Sequence, residues 1–293
     1  MTRPKMQPLF EHSVEVDAYR TRVLELEGEG PAVVLLHGFG DSADTWRPLL
    51  DRLGRLERRA VAVDLPGFGR ASAFGPGAIL PQLDAFAGAL VERVAAEAGG
   101  PVVVAGNSLG GVVSLRLAER ADLALRGVMP IAPAGLDMPG WFEIIERDPV
   151  IRTVLSLPVP IPRPLLERAI GEVYRRLAFS DARLADPAVI KTFASHHRDR
   201  ERARRLLATG RRLLPELATP PFAFERVRVP VLLVWGTRDR MVSHRGAHRV
   251  LEALPGTKVE LLEGCGHCPQ LEATDRVVEC LLGFAGAAAI RAA

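Results

Sequence analysis

The sequence predicts a protein of the α/β class, in which helices cover both faces of a doubly wound, mostly parallel sheet. Short apolar runs alternate along the chain with longer amphipathic stretches, an order typical of parallel strands joined by crossover helices. Several of the short runs are continuously aliphatic, for example residues 33–36 and 102–105. Such runs favour strands that are buried on both faces.

The individual elements follow from these runs in chain order. Strands are predicted at residues 19–26, 32–37, 59–64, 102–105, 126–131, 231–235 and 258–262. Helices of the core are predicted between them, at residues 44–53, 80–98, 109–121, 243–254 and 273–285.

This alternation is interrupted between Pro133 and about Pro221, where the sequence shows no strand pattern. Helices are expected to begin there near Trp141, Pro164 and Pro187, between prolines that fix where a helix can start or stop. We interpret residues 133–222 as a helical lid inserted into an α/β core that consists of residues 1–132 and 223–293.

Composition and charge exclude several classes of protein. Hydrophobic residues make up 48% of the 293 residues and charged residues 25%, which excludes collagen, coiled coils and disorder. The net charge of +3 comes from 38 basic and 35 acidic residues spread along the chain, so we expect no nucleic-acid partner. No apolar stretch approaches the ~18 residues that cross a bilayer, and no secretory signal is visible, so we expect a cytoplasmic protein without integral membrane association. The sequence leaves open whether the chain forms a homodimer.

The pentapeptide Gly106-Asn107-Ser108-Leu109-Gly110 lies between a predicted strand and a predicted helix. A serine on such a sharp turn presents its Oγ, and the helix N-terminus places the N–H of Leu109 beside any oxyanion formed there. Ser108 is therefore a candidate nucleophile.

A nucleophilic serine needs a base and an acid that orients the base, and two residues suit these roles. Asp239 follows the strand predicted at 231–235, and His267 follows the strand predicted at 258–262. Because the carboxyl ends of parallel strands meet at one edge of a sheet, we expect Ser108, Asp239 and His267 to lie close together.

Five stretches make the chain resemble the α/β-hydrolase family, and in particular its esterase-like members with a helical cap. They are Leu35-Leu36-His37-Gly38-Phe39-Gly40, Asp64-Leu65-Pro66-Gly67-Phe68-Gly69, Gly106 to Gly111, Trp235 to Arg240, and Gly266-His267-Cys268-Pro269. The resemblance implies that the backbone N–H of Phe39 joins that of Leu109 in an oxyanion hole. It also implies hydrolysis of a carboxylic ester through an acyl-enzyme, with no metal or organic cofactor.

The substrate expected from this resemblance is a small to medium apolar ester. The predicted lid supplies an apolar roof, from which Met138, Trp141 and Phe142 are the candidate substrate-binding residues.

Two other functions stay open at this point. Hydrolases that cleave a carbon–carbon bond in ring-fission products also carry Gly-Asn-Ser-x-Gly-Gly and a helical lid. Those relatives usually have Gly-Pro-Gly-Ala where this chain has residues 40–43, and an aromatic residue just after the catalytic histidine where this chain has Cys268 and Pro269. The second alternative is a ligand receptor that keeps the fold and the three polar residues but turns over slowly.

Several other residues could carry chemistry, and a structural role is favoured for most of them. Asp137, near the end of the strand 126–131, is an alternative to Asp239 as the orienting acid, because some members of the resembled family place the acid there. We interpret His37 as a packed loop histidine and Asp64 as a support for the turn that follows it.

Two spacings suggest metal or redox chemistry. His244 and His248 have the i, i+4 spacing of zinc ligands, but no third ligand accompanies them, so we predict no metal site. Cys265 and Cys268 flank His267 as in a redox dithiol, but too few residues follow them for a thioredoxin fold.

The segment 196–212 contains seven arginines. Such a cluster could attract an anionic substrate or a membrane surface. We interpret it as the solvated face of one lid helix whose Phe193, Leu206, Leu207, Leu213 and Leu214 face inward.

Overall fold

The computed structural model describes residues 7–138, 140, 162–183, 185–218 and 221–291. Its centre is one eight-stranded sheet with the order β1-β2-β4-β3-β5-β6-β7-β8. The strands are β1 (Leu9–Val16), β2 (Tyr19–Leu26), β3 (Glu29–Leu36), β4 (Arg58–Val63), β5 (Val102–Asn107), β6 (Leu125–Ile131), β7 (Leu232–Gly236) and β8 (Lys258–Leu262). Strands β3 to β8 run parallel, whereas β2 is antiparallel to both β1 and β4.

Helices cover the two faces of this sheet, and three others lie along the chain between β6 and β7. They are α1 (Arg47–Arg55), α2 (Ile79–Ala98), α3 (Leu109–Ala118), α4 (Arg163–Ala178), α5 (Pro187–His196), α6 (Arg200–Ala218), α7 (Ala247–Ala253), α8 (Pro269–Glu272) and α9 (Thr274–Arg291). Along β5, Val102 and Val104 belong to one apolar cluster, with α2 and α3, while Val103 and Ala105 belong to a second, with α1 and α9. Alternate side chains of the strand therefore enter cores on opposite faces, and the predicted doubly wound α/β fold is confirmed.

All seven predicted strands are present, and the eighth, β1, is a strand that the sequence analysis missed. Only Val16 of its eight residues is buried, and Phe10 is 44% exposed. Among the described strands, it lies at the edge of the sheet and pairs with β2 alone. It has no continuous apolar run because it contributes little to the core.

The predicted core helices differ from the structure mainly at their ends. The helix predicted at 44–53 is a 3₁₀ turn, Ala43–Trp46, followed by α1, which has Pro48 in its first turn, where a missing N–H costs nothing. The helix predicted at 243–254 is likewise a 3₁₀ turn, His244–Gly246, followed by α7.

Three described helices, α4 to α6, lie between β6 and β7. Pro164 and Pro187 stand in the first turns of α4 and α5, as predicted, whereas the helix predicted near Trp141 lies outside the described residues. The segment 196–212 does not form one helix, which corrects the sequence interpretation. Helix α5 ends at His196, and Asp199 accepts a hydrogen bond from the N–H of Arg202 (2.9 Å) at the start of α6.

No helix in the described ranges combines the length and the apolar character that crossing a bilayer requires.

Candidate active site

Ser108 occupies a strained turn between β5 and α3. Its φ of 53° and ψ of −110° lie in a region that residues with a side chain rarely adopt. Glycines allow the turn to form, because a Cβ at Gly106 would lie 2.1 Å from the carbonyl oxygen of Gly110, and one at Gly110 equally close to that of Leu36. The sequence therefore fixes Ser108 at the carboxyl end of a central strand.

His267 and Asp239 form a buried hydrogen-bonded pair, also at the carboxyl ends of the parallel strands. The imidazole Nδ1 lies 2.7 Å from Oδ2 of Asp239, whose side chain has no exposed surface. The other carboxylate oxygen accepts the backbone N–H groups of Met241 (2.8 Å) and Val242 (2.9 Å), which fix its orientation. With Nδ1–H donating to the carboxylate, the free lone pair of the imidazole is on Nε2, where a proton can be accepted.

Asn107 joins the serine turn to the histidine loop. Its amide nitrogen donates to the carbonyl oxygens of His267 (2.9 Å) and Ile131 (3.4 Å). The residue just before Ser108 thus contacts the residue predicted to be its base. The sequence analysis assigned no role to Asn107, because no local sequence pattern indicates a contact between positions as far apart as 107 and 267.

The loop after β3 passes beside Ser108. A Cβ at Gly38 would lie 3.3 Å from Cβ of Ser108, and the N–H of Gly110 donates to the carbonyl of His37 (3.1 Å). Phe39 follows Gly38 in this loop, and Leu109 is the first residue of α3. Both predicted oxyanion donors therefore belong to segments that flank Ser108.

His37 is a buried loop histidine, as predicted. Its Nε2 accepts the N–H of Leu65 (2.8 Å), so Nδ1 carries the proton and donates to the carbonyl of Gly38 (2.7 Å). Complete burial lowers the pKa of His37 to about 4.

Asp64 also has the structural role predicted for it. Its carboxylate accepts from Nε of Arg22 (3.0 Å) and from the backbone N–H groups of Ala43 (2.8 Å) and Arg70 (2.8 Å). These bonds attach the turn after β4 to the start of the 3₁₀ turn before α1.

The alternative acid, Asp137, has another contact in the structure. Its backbone carbonyl accepts the N–H of Ser243 (2.8 Å), whereas the imidazole of His267 is paired with Asp239. Met138 is partly buried, and its sulfur accepts the N–H of Gly135 (3.1 Å). The other two candidate substrate-binding residues, Trp141 and Phe142, lie outside the described residues.

The two cysteines beside His267 are unpaired and buried. Burial raises the pKa of both Cys265 and Cys268, whereas reactive dithiols have a lowered pKa. Within the described part of the chain, no group of three His, Cys, Asp or Glu side chains could hold a metal ion, so His244 and His248 have no third ligand there.

Tyr174 and Asp41 form a contact between the helical insertion and the loop after β3. The Tyr174 hydroxyl, on α4, donates to Oδ2 of Asp41 (3.4 Å) and lies 3.8 Å from Sγ of Cys268. Asp41 is buried, which raises its pKa to about 6. Its Oδ1 accepts the N–H of Ser42 (2.8 Å). The sequence analysis missed this contact, which joins three distant segments.

The end of α4 is attached to the histidine loop by a second set of bonds. The N–H of His267 donates to the carbonyl of Ala178 (2.8 Å). Glu272 accepts the N–H groups of Gly266 (2.8 Å) and Ser180 (3.1 Å). Displacement of the insertion at this point would therefore disturb the position of His267.

Comparison with known proteins agrees with this architecture. The model of the alpha/beta hydrolase family matches residues 33–280. A pimeloyl-[acyl-carrier protein] methyl ester esterase from Xanthomonas oryzae is 29% identical, over 89% of this chain and 97% of its own. A membrane phospholipase A superposes with a TM-score of 0.74 at 25% identity, over 96% of this chain and 86% of its own. The 2-hydroxy-6-oxo-6-phenylhexa-2,4-dienoate hydrolase of Rhodococcus sp. RHA1 has a TM-score of 0.73 at 24% identity, over 95% of this chain and 99% of its own.

Proposed function

Because the chain belongs to the alpha/beta hydrolase family, we propose that it hydrolyses small to medium apolar carboxylic esters through a serine acyl-enzyme. One observation carries the proposal: the buried pair of His267 and Asp239 (2.7 Å) lies at the sheet edge where Ser108 is held in a strained turn. Acyl transfer needs a nucleophilic hydroxyl and a base with a fixed tautomer at one site, and Asn107, the residue before Ser108, donates to the carbonyl of His267 (2.9 Å). The methyl ester esterase from Xanthomonas oryzae supports esters as the substrate class.

The reaction has two steps. Oγ of Ser108 attacks the ester carbonyl while Nε2 of His267 accepts its proton, and the imidazolium then returns this proton to the leaving alcohol. Water attacks the resulting acyl-enzyme with the same base and restores Ser108. Asp239 holds Nδ1 protonated throughout and stabilises the imidazolium.

Backbone N–H groups of Phe39 and Leu109 would stabilise the oxyanion in both steps. Leu109 opens α3, so the positive end of the helix dipole adds to its N–H. The segment 133–222 would act as the lid, with Met138, Trp141 and Phe142 against the apolar part of the ester. We place this reaction in the cytoplasm, which fractionation of the producing cells would test.

Hydrolysis of a carbon–carbon bond is the second candidate function. The run from Gly106 to Gly111, Gly-Asn-Ser-Leu-Gly-Gly, is shared with hydrolases of ring-fission products. Cys268 and Pro269 stand where those enzymes usually have an aromatic residue, so we favour esters.

The test is a substrate panel assayed with wild-type protein and Ser108→Ala. It contains p-nitrophenyl esters of increasing acyl length and a vinylogous diketone acid. We expect multiple turnovers of the esters, slower or no cleavage of the diketone acid, and neither reaction in Ser108→Ala. Faster cleavage of the diketone acid would replace the ester proposal, and fewer than one turnover of every substrate would favour a receptor.

A further inference from the structure

A cavity of about 540 Å³ lies between helix α6 and the turn after β4. Its volume is within the range of about 300–1,000 Å³ that small-molecule sites occupy. Ser108 and His267 are not among the described residues that line it. The described lining of this cavity therefore does not include the proposed nucleophile or base.

Four arginines line this cavity, and the described lining contains no Asp or Glu. They are Arg70, Arg202, Arg205 and Arg212. Arg212 is held over the turn by donating to the carbonyl oxygens of residues 75 (2.9 Å) and 77 (2.7 Å). Like charges that converge on one space favour an anion there, and guanidinium groups bind carboxylate and phosphate oxygens in pairs.

The carboxylates that pair with these arginines do not line the cavity. Arg202 contacts Asp199 (3.4 Å), and Arg205 contacts Glu201 (2.7 Å), whose side chain is 79% exposed. Solvent-exposed ion pairs contribute little to stability, so a ligand can replace them at small cost.

Apolar side chains form part of the remaining lining, which also includes His196, His197 and Thr209. The rings of Phe68 and Phe74 meet edge to face with centroids 5.8 Å apart, and Leu206 of α6 also lines the space. Gly67 makes room for this arrangement, because a Cβ there would lie 2.3 Å from the Phe74 ring. A ligand that contacts both the arginines and the apolar side chains would have an anionic group and an apolar body.

Two lining residues also contact the loop that carries Phe39. The ring of Phe68 packs edge to face against Phe39, with centroids 5.4 Å apart. Nε2 of His197 lies 2.6 Å from the carbonyl oxygen of Gly40, to which it donates. An occupant of the cavity would therefore touch residues that position the predicted oxyanion loop.

We propose that this cavity binds a small amphipathic anion, a carboxylate or phosphate on an apolar chain. Arg202 and Arg205 bind the anionic group, and Phe68, Phe74 and Leu206 contact the chain. The anion is either a remote group of the substrate itself or a separate ligand. Its coupling to the active site rests on the proposed function, whereas the binding does not.

Binding is tested by titration calorimetry with octanoate, octyl phosphate and neutral octanamide. The test variant is Arg202→Gln/Arg205→Gln. The matched control is Arg204→Gln/Arg211→Gln, which removes the same charge from exposed positions of α6 outside the cavity lining. Circular dichroism checks that both variants are folded.

We expect wild type and the control to bind both anions at least tenfold more tightly than octanamide, and the Arg202→Gln/Arg205→Gln variant to lose this preference. Absence of saturable anion binding to wild type, equal affinity for octanamide, or equal loss in the control would each overturn the proposal. These results do not depend on ester turnover.

Kinetics then distinguish the two sources of the anion. The assay compares a neutral p-nitrophenyl ester with the p-nitrophenyl half-ester of a dicarboxylic acid of matched length. If the anion is part of the substrate, Arg202→Gln/Arg205→Gln raises KM for the half-ester alone, and octanoate competes with it. If it is a separate ligand, octanoate changes kcat for the neutral ester in wild type but not in that variant. No effect of octanoate on either ester would overturn the coupling, whereas failure of wild type to hydrolyse any ester would refute the proposed function alone.

Discussion

Replacement of Asp239 by Asn tests how the imidazole of His267 is oriented. The position of Oδ1 is fixed by two backbone N–H donors, those of Met241 and Val242. The Asn side chain therefore keeps its oxygen there, since turning the amide over would lose two hydrogen bonds worth about 0.5–1.5 kcal/mol each. Its NH₂ group then faces Nδ1 of His267, 2.7 Å from the replaced oxygen.

This arrangement forces Nδ1 to accept a hydrogen bond and moves the imidazole proton to Nε2. A protonated Nε2 cannot accept the proton of Ser108, so kcat for p-nitrophenyl butyrate should fall by about 10⁴, or about 5.4 kcal/mol in activation free energy. KM should change little, because the side chain of Asp239 has no exposed surface that a substrate could contact. Stopped-flow release of p-nitrophenol measures both constants.

The matched control is Asp137→Asn, which leaves the hydrogen bond from Ser243 to the backbone carbonyl of Asp137 in place. This variant should keep kcat within about threefold of wild type. If Asp239→Asn keeps more than a tenth of the wild-type kcat, the orientation argument is wrong. The reverse pattern, with the large loss in Asp137→Asn, would move the acid to the end of β6.

Three further perturbations test other parts of the structure. Cys265→Ala/Cys268→Ala should keep ester turnover within about fivefold, because both thiols are buried with a raised pKa; a complete loss in a folded variant, measured by the same assay, would assign the chemistry to the dithiol. Asp41→Asn should increase the free energy of unfolding above pH 6 by about 1–3 kcal/mol and have no effect near pH 4. Between the ordinary pKa of Asp41, 3.8, and its pKa of about 6 in the folded protein, only the folded state keeps the proton, so the stability of the wild type falls as pH rises through this range. Urea unfolding at pH 4 and 7.5 measures this, and equal destabilisation at both values would refute it. Gly110→Ala should abolish activity and lower Tm, because its Cβ would lie 2.1 Å from the carbonyl oxygen of Leu36; a variant with wild-type Tm by differential scanning calorimetry and wild-type turnover would show that the turn is not this tight.

The sequence predicts the central sheet because its strands are buried on both faces and so require continuous apolar residues. The turn around Ser108 is also predictable from local sequence, because its close backbone contacts require glycine at fixed distances from the serine. Strand β1 has no such signature, because it lies at the sheet edge with most of its side chains exposed.

The contacts that complete the site depend on tertiary structure and could not be predicted. Asn107 reaches His267, and Tyr174 reaches Asp41, only after the sheet and the insertion have formed. The break between α5 and α6 places His197 against Gly40, which a single helix through 196–212 would not do. The roles of Trp141 and Phe142 stay predictions.

The identity of the nucleophile is tested most directly by covalent labelling with a fluorophosphonate. The native protein should gain the mass of one adduct, lose the proposed ester turnover in parallel, and yield a single labelled peptide that contains Ser108. Ser108→Ala should gain no adduct and lose turnover by about 10⁶. An adduct on another residue, or more than a few per cent of wild-type turnover in Ser108→Ala, would contradict the assignment of Ser108.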